Sequence, residues 1–289
     1  LDVLFEIIYG YNIIGNKSYM PGRIASFFGD ELIIGAFYHG FVLYFISYLI
    51  KKKIKNHFLI LSIIFIFLIS FLIGERSNFF KLFISVLIFT TFAININYKI
   101  KIISFLAVIL TLSAFLSLNN SYKIRYFDQI KILLSEDGYS NYLKKSQYGA
   151  HRDVSMKIFQ ENFIFGVGIK NFRHESGKKK YENQEYLLTD LRQATHPHQI
   201  HHEFLSETGI FGYLCFLIFM LSSIYLGLKS YLKSKNLYQL SAIIFIITSL
   251  LPLLPSGSFL STYVSGIFWL NFAIMNSYIK KTKLNLNKI

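Results

Sequence analysis

The stretch that decides the fold is residues 204–228, FLSETGIFGYLCFLIFMLSSIYLGL. It is apolar over the roughly 20 residues that a helix needs to cross a bilayer. The chain has 289 residues, 53% of them hydrophobic, with 30 Phe and 20 Tyr, and comparable apolar blocks recur along it. We therefore predict an all-α, polytopic transmembrane helical bundle. The predicted spans are about 31–50, 56–73, 79–97, 101–118, 204–228, 237–254 and 260–279.

Basic residues are concentrated in four segments that flank the predicted spans. KKKIK (51–55), NYKIK (97–101), KSYLKSK (229–235) and KKTKLNLNK (280–288) contain several Lys and no Asp or Glu. All four fall on the same side of a seven-span path, and the positive-inside rule makes that side cytoplasmic. The formal net charge of +14 is thus a topology signal that anionic lipid also favours, and we expect no nucleic-acid partner.

The opposite side of the membrane must hold the only extramembrane segment that is long enough to fold. We predict an outer loop at 1–30, four transmembrane helices in 31–118, a large outer loop at 119–203, three transmembrane helices in 204–279 and a basic cytoplasmic tail at 280–289. Within the large loop we predict helices at 121–136 and 150–162, a loop at 137–149, a tight turn at 163–172 and a mobile loop at 174–185. The chain begins without Met, and we expect further N-terminal spans before it.

Four of the eight histidines lie just before the apolar stretch: His196, His198, His201 and His202. Because Pro197 disfavours helical geometry in the residue before it, we expect a helix to begin near His198. His198 and His202 would then share one face, and Glu203 and Glu207 another. A helix start at the membrane boundary has free N–H groups that suit an anion such as a phosphate.

Three interpretations of this histidine cluster are open. The histidines can be interfacial polar residues that bond to water or lipid headgroups. His196, His198 and His202 can ligate zinc. We prefer a third interpretation, in which a neutral imidazole acts as a general base, because histidine titrates nearest to neutral pH.

Arginine is rare in a chain whose usual cation is Lys, and three arginines are candidates for anion binding: Arg23, Arg76 and Arg152. At a membrane boundary, Arg23 and Arg76 can simply extend their charged heads to water. This explanation is weaker for Arg152, which lies away from the ends of the spans. The functional alternative is forked binding of a phosphate or diphosphate, for which guanidinium is better suited than ammonium.

Other motifs limit the chemistry. Gly166 and Gly168, in FGVGIKNF, follow no predicted strand, so we interpret them as a tight turn and not as a dinucleotide site. The chain has no P-loop, no paired Asp motif for a nucleotide sugar and no G-x-S-x-G sequence. The single Cys215 lies in an apolar block and cannot form an intrachain disulfide. We expect no cofactor.

The segment HPHQIHHEFLSETGIFGY (196–213) resembles the His-containing signature of the O-antigen ligase and O-antigen polymerase superfamily. The resemblance extends, in the family's order, to GRIASFFGDELIIGAF (22–37), GERSNFFKLFISVLI (74–88) and HRDVSMKIFQENFIFGVGIKNF (151–172). Gln199 departs from the family, which usually has Asn there, and His201 and His202 are additional. Members usually have more spans than the seven predicted here, which agrees with missing N-terminal spans.

The resemblance implies glycosyl transfer from a glycan on undecaprenyl diphosphate, without a metal and with inversion at the anomeric carbon. The site would lie on the periplasmic side of the bacterial inner membrane, which makes the two outer loops periplasmic. His198 would deprotonate the acceptor hydroxyl, and His196 would share or orient that role. Glu207 would orient the histidine helix or its neighbours. The resemblance assigns diphosphate binding to Arg152, Arg76 and Arg23. The motif would be supported by Gln199, Gly209, Gly212, Gly166 and Gly168, with His201 and His202 as accessory residues.

Our leading hypothesis is an O-antigen ligase whose acceptor is a lipid A-core sugar. The alternative is an O-antigen polymerase, whose acceptor is another lipid-linked glycan. Two other classes remain: a transporter whose outer histidines couple protons, and a zinc-dependent membrane hydrolase. A transporter site usually lies near the membrane midplane, and apart from Lys81 and Cys215 we expect few titratable groups within the spans.

Overall fold

The computed structural model describes residues 1–29, 31–94, 97–118, 120–128, 131, 133–136 and 138–286. Over these ranges the regular secondary structure is helical, without strands, as the all-α prediction requires. The α-helices are α1 (Asp2–Tyr9), α2 (Ile34–Lys51), α3 (Asn56–Ile73), α4 (Arg76–Ala93), α5 (Tyr98–Leu118), α6 (Gly138–Lys145), α7 (Gln147–Glu161), α8 (Phe172–Glu175), α9 (Ile200–Ser234), α10 (Leu237–Ser249) and α11 (Thr262–Leu286). Shorter helical turns are found at Ser26–Phe28, Asn120–Tyr122, Lys179–Tyr181 and Thr189–Arg192, and a π-helix at Lys123–Asp128.

Among the described residues, four helices are long and apolar enough to cross a membrane: α2, α3, α4 and α9. They correspond to the predicted spans 31–50, 56–73, 79–97 and 204–228. Helices α5 and α11 cover most of the predicted spans 101–118 and 260–279, whereas α10 has 13 residues and ends before the predicted 237–254 does. Crossing by these last three helices stays a prediction.

The chain folds as two compact units. Unit 1 comprises Leu1–Asp128, Gly227–Thr248 and Ile267–Ile289, and unit 2 comprises Gln129–Leu226 and Ser249–Gly266. Residues 129, 130 and 132 of the predicted helix 121–136, and residues 287–289 of the predicted basic tail, lie outside the described residues.

Unit 1 has an apolar core in which Phe67 of α3, Phe89 of α4 and Ile243 of α10 are fully buried. The same unit contains a buried polar contact among α2, α4 and α10. His39 Nε2 lies 2.9 Å from Ser85 Oγ, which lies 2.9 Å from Thr248 Oγ1. Polar contacts of this kind hold helices together in lipid.

This contact corrects one expectation from the sequence. His39 lies within the predicted span 31–50 and is 2% exposed. Our expectation that the spans contain little that titrates besides Lys81 and Cys215 is therefore wrong. A single His in an apolar block gives no pattern of its own, and its partners Ser85 and Thr248 are distant in the sequence.

Unit 2 is built around α7, which confirms the predicted helix at 150–162. Val154 and Ile158 are completely buried on one face of α7, against Phe172 and Tyr181. The predicted mobile loop at 174–185 is wrong in this respect, because Tyr181 is buried in that core. Its hydroxyl donates to Glu161 Oε2 over 2.8 Å.

The predicted loop at 137–149 is also wrong, because α6 forms there. The Asp-Gly and Ser-Asn pairs in DGYSNYLKK are typical of turns, but packing overrides them. Helix α6 lies close against the start of α7, where a Cβ on Gly149 would come within 1.7 Å of the Leu143 carbonyl oxygen. The absence of a side chain at Gly149 permits this approach.

Candidate active site

Two cavities of the chain differ in what lines them. A cavity of about 300 Å³ in unit 1 is lined by apolar side chains such as Ile63, Phe67 and Val86. A cavity of about 180 Å³ in unit 2 is lined by groups that can do acid–base and anion chemistry, together with tyrosines from α6. We call this second one the His198 cavity; the polar and aromatic residues that line it are His198, His202, Arg152, Gln199, Tyr139, Tyr142 and Tyr148.

The backbone at His198 differs from the predicted helix start. Helix α9 begins at Ile200, and His198 precedes it with a φ of +53°. The prediction that His198 and His202 share a helix face is therefore wrong, although both side chains line the His198 cavity. Such a left-handed conformation costs a non-glycine residue about 1–3 kcal/mol and is often found at functional sites. The His198 carbonyl is held by the Ser256 N–H over 2.8 Å.

Gln199 caps the start of α9. Its Oε1 accepts from the N–H groups of His201 (2.7 Å) and His202 (3.1 Å), and its Nε2 donates to the Pro252 carbonyl (2.9 Å). The prediction that these N–H groups are free for an anion is wrong, because an amide side chain already bonds to them. These bonds fix the position of Gln199, the residue that directly follows His198.

Three imidazole rings come together beside the cavity. The His198 ring stacks nearly parallel to that of His151, with centroids 5.0 Å apart, and lies 4.1 Å from that of His196. His151 is fully buried on α7, and its Nε2–H donates to the Leu191 carbonyl over 2.9 Å. This hydrogen bond to a backbone carbonyl keeps the His151 ring in one tautomer, so His198 stacks on a ring of fixed orientation.

Four residues at or beside the cavity were not predicted from the sequence: His151, Tyr139, Tyr142 and Tyr148. For His151 a signal existed: positions 151, 154, 155 and 158 share one face of a helix, and all four are buried. For the three tyrosines no signal was visible, since all of them lie in the stretch 137–149 that was predicted as a loop.

Burial sets the protonation of His198 and His196. Burial, and then the neighbouring His196 and His151, lower the pKa of His198 to about 3. Burial, and then His151 and Arg173, lower the pKa of His196 to about 4. A charged imidazole is poorly solvated in such surroundings, so both rings are neutral at neutral pH.

His198 and His201 differ in what their ring nitrogens do. Neither ring nitrogen of His198 has a hydrogen-bond partner among the described residues, so its lone pair is available to a substrate. His201, in contrast, donates from Nε2 to the Leu250 carbonyl (2.8 Å) and accepts at Nδ1 from the Tyr213 hydroxyl (3.0 Å). His201 therefore holds the chain around residue 250 and has no free nitrogen for chemistry.

Arg152 supplies the positive charge at the cavity. It is exposed on α7, and within the part of the chain that the structure describes no carboxylate lies at ion-pair distance from it. The adjacent Asp153 pairs with Lys157 instead, at 2.9 Å. The Arg152 guanidinium is thus available to an anionic ligand.

Two carboxylates one turn apart connect the start of α9 to other segments. Glu207 accepts from the N–H groups of Lys170 (2.7 Å) and Phe172 (3.3 Å). Glu203 accepts from the Ser258 hydroxyl and from the Phe259 N–H (2.8 Å). Both carboxylates bond to protein groups, and Glu207 does not appear among the described residues that line the cavity.

The glycines of the two sequence motifs meet in one contact. Helix α9 is kinked at Gly209, whose φ and ψ are 64° and −170°. At the kink, the N–H groups of Val167 and Gly168 donate to the carbonyls of Ser206 (3.0 Å) and Glu207 (2.8 Å). A Cβ on Gly166 would lie 2.4 Å from the Glu207 carbonyl carbon, so any side chain there would separate the turn from α9. Gly212 lies on α9 beyond the kink, where a Cβ would lie 2.5 Å from the Thr208 side chain.

Arg23 and Arg76 belong to unit 1, where protein groups already bind their guanidinium groups. Arg23 donates to the Leu32 carbonyl (2.6 Å) and lies 3.7 Å from the buried carboxylate of Glu75. Arg76 donates to the Arg125 carbonyl (2.9 Å). Glu75 also accepts from the Gly35 N–H (2.8 Å). We call this set, Arg23, Glu75, Arg76 and the groups they bond, the Arg23–Glu75 cluster.

Comparison with known proteins assigns the chain to a family. The family model for O-antigen ligases matches residues 32–217, more than half of the chain. The chain belongs to the O-antigen ligase family. Members are membrane glycosyltransferase-like enzymes, ligases or polymerases, with lipid-linked glycan substrates. No curated protein and no solved structure matches the chain.

The family confirms our sequence-based assignment to the O-antigen ligase and polymerase superfamily. It favours an enzyme over the transporter alternative, and it agrees with a multi-pass bacterial membrane protein. For the zinc alternative, the described residues contain no group of three or more His, Cys, Asp or Glu that could hold a metal ion. The matched range includes the residues of α6, α7 and the start of α9 that line the His198 cavity. It ends before Pro252, Leu253 and Pro255, which line the same cavity.

Proposed function

We propose that this protein is an O-antigen ligase that transfers a glycan from undecaprenyl diphosphate to a lipid A-core sugar at the periplasmic face of the inner membrane. The observation that carries the proposal is the pairing, in one cavity, of a neutral His198 without a hydrogen-bond partner among the described residues and an Arg152 without an ion pair among them. Transfer from a diphosphate needs a base for the acceptor and a cation for the leaving group.

In the proposed reaction, an acceptor hydroxyl attacks the anomeric carbon of the donor sugar. As the new carbon–oxygen bond forms, the proton of the hydroxyl passes to a ring nitrogen of His198. The bond between the anomeric carbon and the diphosphate oxygen breaks, and its electron pair leaves with the diphosphate. Attack from the side opposite to the leaving group inverts the anomeric carbon.

The low pKa of His198 is compatible with this role. A base with a pKa near 3 accepts protons poorly in the free enzyme. A bound diphosphate brings negative charge to the cavity, and a nearby opposite charge stabilises the imidazolium and raises its pKa. The base therefore becomes effective when the donor is bound. His196 and His151 orient the ring of His198, and neither of them needs to exchange a proton.

Arg152 is the first candidate for the diphosphate, because its guanidinium is exposed at the cavity. The fork of the guanidinium can donate two parallel bonds to phosphate oxygens. Arg76 and Arg23 remain proposed ligands of the diphosphate by family resemblance, but each already donates to a backbone carbonyl. Glu207 is assigned a positioning role, since its carboxylate bonds to Lys170 and Phe172.

The cavity of about 180 Å³ is smaller than the roughly 300–1,000 Å³ of typical ligand pockets. It therefore has room for a reacting sugar ring or a phosphate group and not for a whole glycan. The aromatic ring of Tyr148 in its wall gives a sugar ring a surface to pack against.

The test is transfer by the full-length protein reconstituted in liposomes with a labelled glycan on undecaprenyl diphosphate. Lipid A-core and a second lipid-linked glycan are supplied as acceptors in separate reactions. We expect label on lipid A-core, and a 10²–10⁴-fold loss of transfer in His198→Gln, roughly the contribution of a general base. Label on the lipid-linked glycan instead would show the polymerase alternative.

His174→Gln is the matched control, because His174 is an exposed His of the same unit that does not appear among the residues lining the cavity. It should transfer normally. Near-normal transfer by a folded His198→Gln protein would remove His198 as the base, and label on neither acceptor would overturn the proposed function. If a chelator removes stoichiometric zinc from the protein and activity is lost with it, the zinc alternative would be restored.

A further inference from the structure

The turn that contains Gly166 and Gly168 is unusually apolar at its surface. We call residues 163–170, FIFGVGIK, the apolar turn. Phe163, Ile164, Phe165 and Ile169 are 52%, 56%, 73% and 62% exposed. Single exposed apolar residues are common, but four within seven positions mark a surface that binds another apolar phase.

The backbone fixes the apolar turn against α9. The N–H groups of Ile210 and Phe211 donate to the carbonyls of Phe163 (2.8 Å) and Ile164 (3.3 Å). In the opposite direction, the N–H groups of the turn bond to carbonyls before the kink at Gly209, as described above. The apolar turn is thus clamped to α9 on both sides of the kink and cannot move independently of that helix.

The clamp lies where α9 changes from polar to apolar. Before Gly209, Glu203 and Glu207 are buried; beyond it, Phe211, Ile218 and Leu221 are 61%, 65% and 63% exposed. Exposed apolar side chains on a span face lipid. The rings of Phe165 and Phe211 lie 6.3 Å apart. The apolar turn therefore continues the lipid-facing surface of α9 at its first turn within the membrane.

Cations lie at the last residue of the apolar turn and just after it. Lys170, Arg173 and Lys179 are exposed, and none has an ion pair within the described part of the chain. Basic side chains next to an apolar insertion bind the phosphates of anionic headgroups. An apolar tip followed by exposed cations matches the order of acyl chains and headgroups in one leaflet.

We infer that the apolar turn is an interfacial membrane anchor whose Phe163, Phe165 and Ile169 insert among lipid acyl chains while Lys170 and Arg173 bind anionic headgroups. Its partner is the bilayer that α9 crosses. Because the turn is clamped to Ser206 and Glu207, insertion fixes the height of the start of α9 above the lipid. The His198 cavity, which the preceding residues line, is then held at a constant distance from a lipid-anchored substrate.

The test measures the depth of a fluorescent label in vesicles. An environment-sensitive dye is attached to Phe165→Cys in the full-length protein, with other cysteines replaced by Ser, in phosphatidylcholine vesicles with or without phosphatidylglycerol. Leu187→Cys is the matched control, because Leu187 is 74% exposed in the same unit and its N–H bonds to Lys144, not to α9. We expect a blue-shifted dye at 165 that is quenched by spin-labelled lipid and shielded from iodide, and a dye at 187 with the opposite behaviour.

Ile169→Cys provides a second position on the apolar turn, with the same expectation. A Lys170→Glu/Arg173→Glu variant should reduce lipid quenching at 165 in the vesicles that contain phosphatidylglycerol and leave it unchanged in pure phosphatidylcholine. Equal iodide quenching at 165 and 187 would overturn the anchor. Shielding from iodide without lipid quenching would also overturn it, since the turn would then be covered by protein.

Discussion

The His198 cavity and the Arg23–Glu75 cluster both bring ionisable groups together, but they use them in opposite ways. In the cluster, the carboxylate of Glu75 is buried and accepts from Gly35, and Arg23 donates to Leu32. In the cavity, His198 and Arg152 have no such partners among the described residues. Groups that are bonded to the protein stabilise the fold, whereas groups left without partners in a cavity can bind and react.

The largest expected effect is on the cluster, where Glu75→Ala should unfold much of the protein. The substitution leaves the buried Gly35 N–H without its acceptor and Arg23 without its counter-charge, and breaking a buried pair costs about 3–5 kcal/mol. The measurements are the yield of monodisperse protein and its melting temperature in detergent. Glu185→Ala breaks the exposed pair with Lys144 and should cost less than about 1 kcal/mol. Equal losses in the two variants would contradict the structural role of Glu75.

On the side of the cavity, Arg152→Ala should reduce transfer without reducing stability. Removing one group that stabilises transition-state charge costs roughly 10²–10³-fold in rate, and an exposed guanidinium without an ion pair contributes little to folding. Arg152→Lys should recover part of the activity, because ammonium keeps the charge but not the fork. Lys157→Ala removes another cation from the same helix and should leave the rate unchanged. A drop in melting temperature that parallels the loss of activity would assign Arg152 to the fold.

Acid should destabilise the protein through His198 and its neighbour His196. Their pKa values in the folded protein, about 3 for His198 and about 4 for His196, lie below the roughly 6.5 expected in the unfolded chain. Between these values the unfolded state binds more protons, so stability is complete above about pH 6.5 and falls as the pH decreases towards 4. Melting temperatures from pH 8 to 4 measure this decline.

A His196→Gln/His198→Gln variant should make that decline shallower, by up to about 1 kcal/mol per histidine and pH unit. His174→Gln changes an exposed histidine and should keep the wild-type slope. If the double variant and the wild type lose stability in parallel, these rings are not held neutral by burial.

The spans and the site motif could be predicted from the sequence, because both depend on local features. Span length and charge asymmetry need no knowledge of tertiary contacts, and α2, α3, α4 and α9 were found in this way. The histidine cluster and the two glycine motifs could be proposed as site motifs because each is contiguous in the sequence, and Arg152 could be proposed because arginine is rare in this chain.

What could not be predicted depends on contacts between distant residues. The left-handed backbone of His198 is held by Ser256, and the partner of Arg23 is Glu75. Helix α6 forms against α7 although its residues favour turns, so its tyrosines were not recognised as cavity residues. His198 and His201 look alike in the sequence, but their rings differ in the structure. The Leu250 carbonyl accepts from the His201 ring, whereas the His198 ring has no hydrogen-bond partner among the described residues.

The smallest expected effect concerns Gln199, where the family signature that the sequence resembles would place Asn. The amide of Gln199 caps α9 and at the same time reaches the Pro252 carbonyl. The arm of Asn is one methylene shorter, so Gln199→Asn should keep the cap and lose the bond to Pro252, at a cost of about 1 kcal/mol. Transfer should fall by less than tenfold, because the backbone of His198 is still held by Ser256. Gln193→Asn makes the same change at an exposed position and should alter neither quantity. If Gln199→Asn behaves like Gln193→Asn, the longer side chain of Gln199 contributes nothing to stability or transfer. If Gln199→Asn abolishes transfer, the position of Gln199 controls the base more closely than its hydrogen bonds indicate.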